Sequence, residues 1–402
     1  MLRAKPWRVA MVGRDRSEQH RQASWLELFF DLSFVVAVAQ AAIQLEHAFA
    51  EGHPGEGILG FLIVFAAIWW AWMAFTWFAN VFDTDDVPYR LLMFVIIAGS
   101  LGLAAGVPRL FALDFSVGVI SYVVIRLAYV GQWIRVYRSN NPIWKPVALR
   151  IIALTTFVQA GWVLFLWMPS ELQLVVLVIW FAVDLATPYF AGWDARMGGH
   201  RHHIVERYGL FTIIVLGESI AAATVAIGEA VSADVAILPL LILSMGGLVM
   251  VCSLWWIYFD FSSGRAPERS KGAQYFWGYA HYFVFAALAA IGAGLALSVV
   301  WTTNSEQVAI PAWAVSMLVG AAVAVFLVTI ALIEGVAERN ITFKDAGRKL
   351  AAAALVIGAA LTSPVLSVSG AICAIALVLA VLVVGGVVIQ HRLHRETELA
   401  EK

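Results

Sequence analysis

Long apolar runs alternate with short polar punctuation along the whole chain. The runs are continuous, so they fit α-helices of about 20 residues crossing a hydrocarbon core of roughly 30 Å. A membrane barrel would instead show alternating apolar and polar positions. Twelve segments are predicted: 26–46, 57–80, 90–107, 110–134, 148–168, 172–190, 207–228, 235–259, 276–300, 311–334, 350–366 and 369–390. The last two are split only by Ser363-Pro364 and by Ser367 to Gly370, so a re-entrant pair competes with two full crossings there. The expected fold is an all-α polytopic membrane helical bundle of about 12 transmembrane helices. A basic tail (1–24) precedes two six-helix halves (25–195 and 196–390), and a short tail (391–402) follows them.

Composition sharpens this picture. Of 402 residues, 62% are apolar and 13% charged, against roughly 45–50% and about 25% in soluble domains. That excludes a soluble enzyme, a disordered chain and a nucleic-acid-binding module. Cys252 and Cys373 both lie inside apolar runs and act as small hydrophobes. The first 24 residues are basic and polar and lack the apolar core of a cleavable signal peptide.

The formal net charge is −1, but its distribution along the chain is uneven. Lys and Arg accumulate in cytoplasmic loops. With the N-terminus inside, 24 of the 26 Lys and Arg lie on the cytoplasmic side, in the tails, the even-numbered loops or the span ends that adjoin those loops; Arg109 falls in an outward loop and Arg126 within a span. Both termini are therefore expected to be cytoplasmic.

The two halves echo one another. Trp25 to Gln40 and Val205 to Ala221 each begin a first helix with a leading Glu, and the second helices are Trp-rich and end near Asp83 and Asp260. Six spans per half make the halves run in the same direction, which predicts parallel repeats about an axis along the membrane normal.

A charge at the bilayer centre costs about 2.5–3.5 kcal/mol on insertion scales, so such residues face the bundle interior. Glu218 lies twelve residues past Glu206, roughly 18 Å along the helix, between the small residues Gly217 and Ser219. Glu27 and Asp31 are four apart and share a helix face. Two carboxylates this close resist joint ionisation, so one holds a proton or the pair shares a cation. Gly118, Tyr122, Arg126, Tyr129 and Trp133 form a stripe centred on Arg126, and Trp69, Met73, Thr76, Asn80 and Asp83 form a second. Asp184, His281 and Glu334 lie one to three turns inside their helices. Arg126 reads as a structural partner of Glu218, Asp31 or Asp184, with a gating or substrate contact as the competing role. The aromatic stripes read first as packing.

Two polar segments flank these spans. His202 and Glu206, next to His203, are four apart and could meet a metal if the helix starts early; the default reading is a basic cytoplasmic cap. Asp83, Asp85 and Asp86 precede Arg90, and a salt-bridged turn is expected. The spaced ligands of a calcium loop are missing. No P-loop, GxSxG or HExxH is present, so no cofactor, metal or enzymatic activity is expected.

The stretches WLELFFD (25–31), WFANVFDTDD (77–86) with Arg90-Leu91-Leu92-Met93, His202 to Arg207, and Gly209 to Ser219 resemble the bacterial low temperature requirement A (LtrA) family. The resemblance runs from about residue 20 to 390 and implies a polytopic protein of the bacterial plasma membrane, associated by name with growth in the cold. The Glu27 to Asp31 motif is also similar to the first-helix motif of the endolysosomal potassium channel family and its bacterial relatives. Here Phe30 stands where that motif has serine, and Leu210 replaces the aspartate in the second half.

Transport of a small solute or ion is the leading expectation, with Glu218 as the candidate for proton coupling. The alternative is a non-transporting membrane protein that senses or supports envelope state. A membrane-embedded enzyme using His202, His203, Glu206 and the Asp83–Asp86 cluster comes third. The expected partners are the lipid bilayer and a small solute or ion, without nucleic acid; homo-oligomerisation stays open.

Overall fold

Inside a bilayer every backbone N–H and C=O must be satisfied within the protein, and a helix does this within one segment. The computed structural model describes residues 7–13, 22–193, 200–232, 237–262, 271–337 and 343–400, and these fold into twelve α-helices. In chain order they are α1 (Trp25–Ala50), α2 (Pro54–Val81), α3 (Val87–Phe111), α4 (Ser116–Arg138), α5 (Trp144–Phe165) and α6 (Ser170–Ala191). There follow α7 (Arg201–Ser232), α8 (Ile237–Ser262), α9 (Lys271–Thr303), α10 (Ala312–Ala337), α11 (Phe343–Ala360) and α12 (Ser363–Ala400). Among the described residues, eleven helices are long and apolar enough to cross a membrane. The twelfth, α11, carries Lys344, Asp345, Arg348 and Lys349 in its first seven residues. The protein is an all-helical, multi-pass membrane protein.

Several boundaries move from their expected places. α3 runs through Pro108 to Phe111, beyond the predicted end at 107. The break between the last two helices falls at Leu361-Thr362, and Ser367 adds a kink with φ 64° inside α12. Residues 391–400 prolong α12 instead of forming a separate tail. α7 begins at Arg201, six residues before its predicted start, which takes His202, His203, Glu206 and Arg207 into the helix.

The chain forms two compact units. The first comprises residues 1–44 and 59–208, the second residues 45–58 and 209–402. In the first, α3 packs on α4, α4 on α5 and α5 on α6. Close approach of α3 to α4 requires a bare backbone at Gly99, where a Cβ would lie 2.6 Å from Ile125 Cγ1. Phe78, Phe82, Trp133, Trp144 and Trp193 fill the core with edge-to-face and tilted ring contacts. In the second unit, α9 packs on α10, α10 on α11 and α8 on α12. There Ser219 Oγ donates to the Leu288 carbonyl at 3.2 Å, an approach that Gly292 permits.

Candidate functional site

Three helix faces with a four-residue period build one buried polar cluster in the first unit. α1 starts with a capping box: Ser24 Oγ accepts from the Glu27 amide at 3.2 Å, and Glu27 Oε2 accepts from the Ser24 amide at 2.8 Å. This fixes Glu27 at the helix mouth and sets Asp31 one turn deeper on the same face. α2 contributes Trp72, Thr76 and Asn80, and the first turns of α7 contribute His203 and Arg207. All seven side chains are buried.

The contacts fall into two layers, one helical turn apart. In the deeper layer Arg207 grips Asp31 with two nitrogens, Nε to Oδ2 at 3.0 Å and Nη2 to Oδ1 at 2.5 Å. Trp72 Nε1 donates to Asp31 Oδ1 at 2.7 Å. Arg207 Nη1 also reaches Glu27 Oε1 at 3.1 Å. The guanidinium is thus a cation shared by the two α1 carboxylates, and its planar fork suits the bidentate contact. In the outer layer His203 stands between Asn80 Oδ1, 3.0 Å from Nδ1, and Glu27 Oε2, 3.2 Å from Nε2. The backbone N–H of His200 donates to the same Asn80 oxygen at 3.1 Å. That donor identifies the atom as the amide oxygen.

A second cluster surrounds Asp184 on α6. Its Oδ1 accepts from Trp70 Nε1 at 3.1 Å and Arg126 Nη2 at 2.9 Å. Its Oδ2 accepts from Tyr122 OH at 2.7 Å and Trp162 Nε1 at 3.2 Å. Of the three acids expected as partners of Arg126, the structure brings Asp184 to it. The rings of Trp70, Tyr122 and Tyr129 lie 5.6, 5.9 and 5.1 Å from the guanidinium carbon, within cation–π range. Trp70 and Trp72, two residues apart on α2, thus serve different acids.

A third acid organises the start of α3. Asp86 caps the helix by accepting from the Tyr89 amide at 3.0 Å, and it accepts from the Val9 amide at 2.7 Å. Arg135 Nη2 lies 2.6 Å from Oδ2. Burial opposes the charge, but the Val9 and Tyr89 amides and Arg135 outweigh it and hold the carboxyl below its ordinary value of 3.8. Beside it, Asp85 meets Arg90 Nε at 2.7 Å, the salt-bridged turn expected from sequence. Asp83 is half-buried in the same turn.

The remaining sequence candidates are dispersed. His202 is exposed, and half-buried Glu206 accepts from the Ala23 amide at 3.4 Å. His203 and Arg207 are buried, contrary to the cytoplasmic cap expected of this segment, because the early start of α7 turns them inward. In the second unit Glu218 is half-buried on α7. Among the described residues no hydrogen bond or ion pair engages Glu218. His281 is fully buried, with Nδ1 2.7 Å from the Trp277 carbonyl and its ring against Trp277 and Phe285. Glu334 pairs with Lys349 at 2.7 Å. Among the described residues, no three His, Cys, Asp or Glu side chains are grouped to hold a metal ion.

The indole donors Trp70, Trp72 and Trp162, together with Arg135, went unrecognised in the sequence. The spacing of Trp72 to Thr76 and Asn80 was the available signal, but tryptophan inside an apolar run counts as bulk.

Comparison with known proteins gives two findings. The family described as bacterial low temperature requirement A protein (LtrA) matches residues 22–385. An uncharacterized protein of Rhizobium meliloti (strain 1021) is 27% identical over 283 residues, 67% of each chain.

Proposed function

The chain belongs to the bacterial low temperature requirement A family, and from that footing we propose that it moves a small solute or ion across the plasma membrane, coupled to a proton at His203 and Glu27. One observation carries the reading: both ring nitrogens of His203 face oxygen atoms. The Asn80 amide oxygen has only lone pairs to offer, so Nδ1 carries a hydrogen and donates to it. Nε2 then meets a carboxylate oxygen. A lone pair against a lone pair repels, so that contact needs one proton, either on the imidazole or on Glu27. A site that holds one exchangeable proton between two groups, with a shared guanidinium one turn deeper, suits loading and release.

The surrounding geometry supports coupling. Asp31 and Asp184 both take a hydrogen bond from α2, so a shift of that helix touches both carboxylates. Glu218, expected from its depth to carry a proton, remains a second acid on the proposed pathway. The distribution of Lys and Arg supports cytoplasmic termini, with Arg207 withdrawn from that reckoning because it lies in the bundle.

Proteoliposomes holding a pH-sensitive dye, exposed to a panel of cation and solute gradients, test the proposal. Wild type is expected to move protons with one of the solutes, and His203→Gln to abolish that movement while the folded protein still inserts. Proton movement unchanged in His203→Gln removes the imidazole from the mechanism. No flux under any gradient favours the second reading, a non-transporting membrane protein that supports or senses envelope state. The observation on that side is the direct pairing of Arg126 and Arg207 with carboxylates, a pattern that also locks a bundle.

A further inference from the structure

The first unit contains an apolar cavity of about 220 Å³ between α2, α3, α4, α5 and α6. Leu62, Ala66, Tyr122, Trp162, Val178 and Phe181 are among its walls. An apolar cavity of about 150 Å³ takes up benzene and stays dry, so this one accommodates a longer hydrocarbon. Leu62 and Val178 are the exposed members of that wall, 41% and 60% accessible. Each is eight residues into its helix, or roughly 12 Å from the helix start. At that depth a membrane-spanning helix meets lipid tails. The cavity is thus continuous with the apolar surface that α2 and α6 present to the bilayer.

Its inner end adjoins the buried charges. Tyr122 and Trp162 are each 5% exposed, and both donate to Asp184 Oδ2. We propose that this cavity is a binding site for one phospholipid acyl chain, entering sideways past Leu62 and Val178, and that the chain braces Tyr122 and Trp162 in the position that holds Asp184 against Arg126. The lining carries no side chain that is charged at neutral pH, which leaves the headgroup outside. The inference does not rest on transport and applies equally to a protein that moves nothing.

Photolabelling tests it. The full chain is reconstituted in phosphatidylcholine bearing a diazirine midway along one acyl chain, irradiated, and mapped by peptide mass spectrometry. Adducts are expected on Tyr122 and Trp162, which surface lipid cannot reach, as well as on outward-facing Val175. Ala66→Phe, which fills the cavity, is expected to reduce the inner adducts at least tenfold and to leave the Val175 adduct intact. Wild-type adducts confined to outward residues overturn the proposal, whatever the variant does. So do inner adducts that persist in a folded Ala66→Phe. A second measurement bears on the bracing role: phosphatidylcholine added to the detergent-purified protein should raise the Tm of wild type more than that of Ala67→Leu, which narrows the cavity at another of its lining residues. An equal rise in both overturns that role.

Discussion

Arg207 presents a planar fork to two carboxylates of α1, a task that the single ammonium of lysine cannot reproduce. Removing one partner of a buried ion pair costs about 3–5 kcal/mol, because the other charge is left buried and uncompensated. Arg207→Met should therefore lower stability by that amount in chemical or detergent unfolding, and Arg207→Lys by less. The pair Arg126 and Asp184 allows a cleaner comparison. Arg126→Met alone should destabilise by about 3–5 kcal/mol, and the double variant Arg126→Met with Asp184→Asn should recover part of the loss. A double variant no more stable than the single one would show that the aromatic cage, not charge, governs the site. Asp86 supplies a pH signature. Its carboxyl titrates below its ordinary 3.8 when folded, so the unfolded chain takes up the proton first. The stabilisation is complete above that ordinary value and declines as pH falls towards and through the folded one. Melting temperature should therefore drop on acidification below about pH 4, and less steeply in Asp86→Asn.

At the scale of the helix, the start of α1 depends on a short-range device that fixes Glu27. Loss of a capping hydroxyl costs about 1 kcal/mol, so Ser24→Ala should lower stability by that much in unfolding measurements. It should also loosen Glu27, whose Oε2 answers the same cap. The helices themselves were legible from continuous apolar runs, since a run of that length without alternation spans a bilayer as a helix. Their ends were less so. His203 and Arg207 looked like loop charges because polar residues at a span boundary are ordinarily wet. Only the structure reveals carboxylates on α1 waiting for them at the matching four-residue spacing. The acid pair Glu27 and Asp31 was readable, and so was its need for either a held proton or a shared cation. The identity of that cation was not, because the partner is more than 170 residues away in sequence. Arg126 had three eligible acids, and periodicity within one helix cannot choose among acids on three others.

For the molecule as a whole, the distribution of Lys and Arg along the sequence predicts that both termini lie in the cytoplasm. A green fluorescent reporter fused to either terminus should fluoresce in cells, since it folds only when kept inside. A periplasmic phosphatase fused at the same points should stay inactive, and the reverse pattern would overturn the assignment. The final consequence concerns α2. Trp70 and Trp72 are separated by about 200° around the helix axis, so their indoles answer acids on opposite sides of it. Thr76 and Asn80 continue the face of Trp72. A helix keyed on two sides has a single azimuth. Inserting or deleting one residue within 70–80 turns everything beyond it by about 100° and breaks one set of bonds whichever way the chain adjusts. This window should therefore admit substitutions but no change of length, whereas the turn at 51–53 before the same helix should accept extra residues.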